Sequence, residues 1–476
     1  MTAYGYAHRL SSSVLFAMTL AAVAATTSAQ ASVEISSKPT HNMNCTGGVC
    51  APTAKNADLN ATDLANMLAT GDVTVASQSI AQDIYVNATL NWASSAKLKL
   101  DAFRSVVVNR AVEVRGNGAL AIETNDGGKN GDYRFFGKGH VKFWNTGSQL
   151  EINGVAYLLV QSIRELKKAA KLNDSGHYAL AKSIDAAGHA YKYAPVNGIF
   201  TGTFEGLGNT ISNFTITKDG ALIERLCGNT LCSSVIRDLG LIAVNINGSG
   251  YSAPLVVWNG GTIANCFATG RISVSGQGDA GGLVTDNSGI IENSYADVAV
   301  SGTTAGGLVA LNISFGSGEP AVITGSYSLG PVSGYYAGGL VGLNHSYAKI
   351  VNSYSFGPVM GSDAGGLVGR YDSSHDAYSL TSSYSTGAVT GDVLVGGLVG
   401  DDEVQAYISN TYWDMDASGI NDPSRGAGNV PNDPGITGLT EAQLKSGLPA
   451  GFDSAIWGHS ASINNGYPYL LANPPQ

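Results

Sequence analysis

Apolar residues in the first third of the chain alternate with polar ones in short bursts. Val73-Thr-Val75, Ile84-Tyr-Val86, Leu98-Lys-Leu100, Val112-Glu-Val114, Leu120-Ala-Ile122 and Leu150-Glu-Ile152 each set two apolar side chains on one face. That period of two marks a strand with one buried side. Turn residues such as Gly116-Asn-Gly118 and Asp126-Gly-Gly128 separate the bursts. Helical spacing appears in two places. Asn60-Ala-Thr62 opens a segment with Leu64, Met67 and Leu68 on one stripe, closed by Gly71. Ser162 to Leu172 aligns Ile163, Leu166 and Ala170.

Further along, the alternation becomes a repeat. Gly-Gly-Leu-Val begins at Gly281, Gly306, Gly338, Gly365 and Gly396, at intervals of 25 to 32 residues. Each is answered by a Ser-Tyr or Thr-Tyr pair: Asn293-Ser-Tyr295, Gly325-Ser-Tyr327, Asn352-Ser-Tyr354, Ser382-Ser-Tyr384 and Asn410-Thr-Tyr412. A period of this length signals stacked units, each burying its apolar face on the next. The leucines and valines are expected inside the tube, the paired glycines at a corner, and the tyrosines one above another as a ladder.

Composition agrees with a solenoid. Glycine fills 62 positions and only 13 % of residues are charged. A corner in every coil uses glycine, which a packed helical domain avoids. The net charge of -10 argues against a nucleic-acid partner, which a basic stripe would hold. Arg164, Lys167, Lys168 and Lys171 read as the wet face of the second helix.

Arg9, the apolar run Val14 to Ala25 and Ala29-Gln-Ala31 form a secretory signal pattern. The run is too short to span a bilayer, and no later stretch is a transmembrane candidate. In an exported chain, Cys45–Cys50 and Cys227–Cys232 are expected as two short-loop disulfides, with Cys266 free and buried in a serine slot of the repeat.

Gly-Gly-Leu-Val-Gly with Asn-Ser-Tyr-Ser-x-Gly-x-Val resembles the GLUG repeat of bacterial surface proteins of the filamentous-haemagglutinin type and of some immunoglobulin-cleaving metallopeptidases. The ending, with Tyr412-Trp-Asp414, Gly438-Leu-Thr440, Gln443-Leu444, Gly451-Phe-Asp453 and Trp457, looks like the terminal part of such proteins. The resemblance implies an all-β fold, a right-handed parallel β-helix with short capping helices, exported from a bacterium to work in adhesion or surface display. The expected organisation is a signal peptide (1–31), a polar linker (32–57), N-terminal coils (58–160), a connecting helix (161–177), the solenoid (178–413, clearest at 281–413) and a C-terminal cap (414–476).

Catalytic signatures are sparse. The chain contains no His-Glu-x-x-His and no Gly-x-Ser-x-Gly. Asp401-Asp402 is the one acidic pair of the kind that pectin-active β-helices use, and adjacent loop residues more often point apart. Asp414-Met-Asp416 opens like a calcium loop, but its twelfth position is Arg425. No enzyme activity, metal or cofactor is therefore expected. The expected function is adhesin-like binding of a glycan or other cell-surface component, with a polysaccharide-active enzyme and a structural spacer as alternatives. The segments after each Gly-Gly-Leu-Val should emerge along one edge, which gathers Asp286, Glu319, His345, Asp372, His375, Asp376, Asp401, Asp402 and Glu403. On this reading that acidic edge, and not the tyrosine ladder, is the contact surface.

Overall fold

The computed structural model describes residues 31–475, apart from 229–231, 315–319, 346, 373–378 and 404–406. The signal segment, Glu319, His375 and Asp376 therefore lie outside the described residues. Within them the chain is a parallel β-solenoid. One 16-stranded sheet runs its length, and sheets of 5, 3, 17 and 8 strands close the other sides.

The strand bursts form where alternation predicts them, because each places its apolar pair in the tube. Leu98, Leu100, Val112 and Val114 are wholly buried, and Leu98↔Leu120 and Leu120↔Leu150 stack in register. The first helix, Ala61–Leu68, starts where the Asn60 side chain accepts from the backbone N–H groups of Thr62 and Asp63. The second, Ile163–Leu172, is capped by Ser162 and buries Ile163, Leu166 and Ala170. Among the described residues no helix is long and apolar enough to cross a membrane.

Residues 32–57 are not a linker. Ser32–Ser36 is a strand inserted between Asn56–Asn60 and Asp83–Val86, parallel to both. Its Val33 and Ile35 lie in the first coil's core beside Ala57 and Leu59. Two short apolar pairs close the end of the tube, and the polar residues around them are its outer face. Cys45 and Cys50 face each other across a hairpin here and are bonded, with Cα atoms 4.0 Å apart. Cys227 and Cys232 are also joined. Cys266 is free and buried, and burial pushes its thiol pKa well up.

The stack has two parts. Strand Gln149–Ile152 turns through Asn153-Gly154, both at positive φ, into its antiparallel neighbour Val155–Val160. Asn-Gly is the favoured pair for such a turn. Beyond it the pairing is parallel again, and strand order in the long sheet still follows the chain. The strand direction reverses at this hairpin and the core changes face with it. Leu150, Ile152 and Leu159 point into the first core, and Val160, Tyr178, Leu180 and Phe204 into the second, on the other side of the sheet. Reversing both leaves the sense of winding the same in the two parts. Their cores are separate clusters, meeting near Leu159, Ala181 and Leu207. An ionic clasp joins them at one corner. Arg237 holds both Asp132 oxygens at 3.0 Å and touches Asp238 at 2.6 Å. Tyr133 Oη donates to the wholly buried Glu205 at 2.7 Å. Burial, reinforced by Asp238, pushes the Glu205 carboxyl up to about 8.

In the second part the repeat is a set of corners. Leu283, Leu308, Leu340, Leu367 and Leu398, with the valine after each, are wholly buried. The two glycines have different reasons. A Cβ on Gly306 would lie 1.7 Å from the carbonyl oxygen of Val309 in its own corner, and one on Gly307 would lie 1.9 Å from Gly339 O of the next coil. The Asn-Ser-Tyr corner places Asn293, Asn352 and Asn410 at φ 47°, 49° and 52°, a region asparagine tolerates. The serine then points in and the tyrosine out. Inside, each serine hydroxyl accepts the preceding slot's backbone N–H, as Ser326 Oγ does from Ser294 N at 3.2 Å.

Outside, the tyrosines form the expected ladder. Phe267, Tyr295, Tyr327, Tyr354 and Tyr384 stack at 4.7–5.2 Å with ring planes within 14°. The ladder is not part of the tube's core. The C-terminal segment, expected as a cap on the end, runs back along the flank and covers it. Leu444, Phe452, Trp457, Tyr467 and Leu470 form one apolar cluster with the ladder. Tyr384 Oη donates to Pro468 O at 2.6 Å, and Tyr412 Oη to Ala450 O at 2.8 Å. Asn473 reaches the Ser294 and Gly325 carbonyls.

Candidate functional site

Of the residues expected on the acidic edge, the 8-stranded sheet carries Asp286, His345, Asp372, Asp401 and Asp402, and Glu403 follows its last strand. Its last five strands begin at the valine of Gly-Gly-Leu-Val, as in Val341–His345 and Val368–Asp372. The segments expected as loops after that valine are thus strands for their first three or four residues. That changes the setting of three acids. Asp286, Asp401 and Asp402 are strand residues, 8 %, 3 % and 1 % exposed, and not solvated turns.

Alternation divides them further. One column of this sheet runs Asn259, Asn287, Asn312, Asn344, Tyr371, Asp402. It faces the interior, where the four asparagines pass Nδ2 to Oδ1 hydrogen bonds of 2.7–2.8 Å from coil to coil. The neighbouring column runs Arg225, Trp258, Asp286, Leu311, Leu343, Arg370, Asp401. Asp401 and Asp402 therefore belong to opposite faces and cannot serve as acid and base on one bond.

The second column ends in a charged network. Arg370 reaches Glu403 at 2.5 Å, Asp401 at 3.6 Å and Asp372 at 3.9 Å. It also donates to Tyr336 Oη at 3.0 Å and lies over that ring. Asp401 accepts from Asn429 Nδ2 at 2.5 Å. His345 pairs in register with Asp372. Burial raises the Asp401 carboxyl to about 6, with Arg370 pulling it down and Glu403 and Asp363 adding to the rise. Four coils from Asp401, burial and then Asp279 lift Asp286 to about 7. The structure thus brings together His345, Asp372, Asp401 and Glu403, and leaves Asp286 apart.

Sequence reasoning missed Arg370, Tyr336, Asp363 and Asn429. A signal for Arg370 was present. The slot three residues past the repeat's leucine is Leu311 and Leu343 in two coils, then Arg370 and Asp401. A break in a packing repeat marks a side chain retained for something else. Among the described residues no group of three or more His, Cys, Asp or Glu is placed to hold a metal. Asp414, at the calcium-like segment, caps the short helix Met415–Ser418 and accepts from Tyr467 Oη at 2.7 Å.

No protein-family model matches the chain. A stretch of 121 residues, 23 % of the chain, is 31 % identical to halomucin of Haloquadratum walsbyi, of which it spans 1 %. A solved Bacteroides ovatus structure, described as a "putative immunoglobulin A1 protease", aligns with 67 % of this chain and 93 % of its own, at 17 % identity and a TM-score of 0.39. The site's chemistry therefore rests on the side chains themselves. They form a rigid, half-buried cation surrounded by carboxylates, suited to holding polar or charged groups of a partner.

Proposed function

We propose that the protein is an exported bacterial surface solenoid of the GLUG-repeat, filamentous-haemagglutinin-like type, and that it acts by binding, as an adhesin. The observation that carries this reading is the Arg370 network on the 8-stranded sheet. It lies on a flank of a long rod, with Asp372 and Glu403 at its exposed edge, on backbone fixed by coil-to-coil pairing, as contact surfaces on repeat proteins are. Its carboxylates are clamped by Arg370 and Asn429, which suits recognition better than proton transfer. The acids outnumber the single arginine, so the partner would be a surface glycan or other surface component with cationic or cation-bridged groups.

A glycan array probed with the mature protein, run beside reducing-sugar release from uronic-acid polymers, tests the reading. Binding without release is expected. Release of reducing ends that survives further purification would replace the adhesin with an enzyme.

A further inference from the structure

The aromatic ladder does not close at its N-terminal end. Phe267 is its last ring, and the next two positions of the column, in register, are Gly240 and Thr210. Phe267 leans across Gly240, where a Cβ would come within 2.3 Å of the ring. At the same level Asn473 of the covering C-terminal segment is bonded to Ser294 O and Gly325 O. A cleft of about 380 Å³ remains. Phe267 and Tyr295 floor it, Phe135 and Phe136 from the first stack wall it on one side, and Asn473 bounds the other.

Its rim is polar. Arg134, Thr210, Asn265 and Asn293 all line the cleft. Among the described residues the Arg134 guanidinium has only a 3.8 Å approach to Asp132. Asn293 lies across Gly325, its Oδ1 2.7 Å from where a Cβ would sit, at the one corner of the five repeats that carries glycine in the asparagine or serine slot. The cleft thus pairs an apolar ring face with donors and acceptors set around its edge.

We propose that this cleft binds a neutral pyranose, the terminal or an internal residue of a glycan. The sugar's C–H face would continue the ladder on Phe267, and its equatorial hydroxyls would meet Arg134, Asn293 and Thr210. An aromatic side chain would stack equally well but would leave those rim groups without partners, a cost that sites built on polar contacts exploit for selectivity. The cleft lies at the junction of the two stacks, away from Arg370, so it stands or falls independently of the flank reading.

The test uses saturation-transfer NMR on the full mature chain with the methyl glycosides of glucose, galactose and N-acetylglucosamine, backed by an array of neutral glycans. At least one glycoside should receive saturation on the protons of one ring face. Thr210→Trp, which fills the cleft from its open side, should abolish the transfer, and Asn293→Ala should weaken array binding about tenfold. Thr210→Trp should melt as the parent does, Asn293→Ala a few degrees lower because alanine disfavours the φ of 47° there, and Glu403→Gln should bind as the parent does. If Thr210→Trp does not fold, Asn293→Ala carries the test alone. No transfer and no array signal with the parent protein would overturn the proposal. So would binding indifferent to both substitutions, or transfer only to tyrosine- and tryptophan-containing peptides.

Discussion

Two flanks of the same solenoid are built from the same coils and treated oppositely. On one, the tyrosine of every coil repeats, stacks and is covered by the C-terminal segment, leaving Tyr327, Tyr354 and Tyr384 wholly buried. On the other, the outward column changes from Trp258 to Asp286, through two leucines, to Arg370 and Asp401, and its charged end meets Tyr336 and Asn429 in place of an apolar cover. The contrast separates two reasons for a residue to be where it is. Repetition is what stacking demands, since each ring needs a ring above it. Variation on a fixed scaffold carries no packing benefit, and it collects where a partner would touch.

The comparison breaks first if the repeat is not core. Leu340→Asp puts a charge into the wholly buried leucine column and should cost several kcal/mol. The expected outcome is loss of the cooperative thermal transition. A variant that melts with the parent would mean the leucines are not inside.

The ladder comes next. Tyr354→Ala removes a ring stacked on both faces and packed on Trp457. It should cost about 3–5 kcal/mol, as aromatic deletions in cores do. It should also loosen the covering segment, so limited proteolysis should cut between Leu439 and Asn473 far faster than in the parent. Equal cutting rates would show that the segment does not depend on the rings.

A smaller effect sharpens the other flank. Asp286 has its pKa raised to about 7 by burial and Asp279, against roughly 3.9 for a free aspartate. The folded state therefore holds this proton more tightly than the unfolded chain. Its contribution to stability falls as pH rises from about 4 to 7, the reverse of a salt-bridged acid. Asp286→Asn should match the parent near pH 4 and be more stable at pH 8, by on the order of 1–3 kcal/mol. Denaturant melts at both pH values check it. A variant less stable at pH 8 would mean that the charge is compensated.

Much of the fold was legible because local and global demands coincide in a solenoid. Val73, Leu98 and Leu120 alternate with polar neighbours since each coil has one inside and one outside. Asn60 and Ser162 announce helices through their own side chains. One miss did carry a local signal: Val33-Glu34-Ile35 is the same alternating burst, hidden by the polar residues that follow it. The other misses lack such a local cause. The covering segment after Leu439 has no period, because its order comes from a ladder that repeats elsewhere in the chain. Asn153-Gly154 does signal a hairpin, but its effect, moving the core to the other face of the long sheet, depends on which strands flank it. The acids were located on one side as expected, yet Asp286, Asp401 and Asp402 were expected wet. The strand beginning at each repeat valine carries them into or against the sheet.

The division between a covered structural flank and a charged contact flank is tested most directly by attachment of paired variants to the same cells or glycan surface. Arg370→Leu with Glu403→Gln restores the leucine of the neighbouring coils and removes the exposed charge. In this protein Asp401, 3 % exposed, loses its cation, so the variant should melt measurably below the parent yet remain cooperatively folded, while attachment is lost. Tyr295→Phe, which keeps the stacked ring and changes only its hydroxyl, should attach normally. Full attachment by the Arg370→Leu, Glu403→Gln protein, with loss in Tyr295→Phe, would contradict the account.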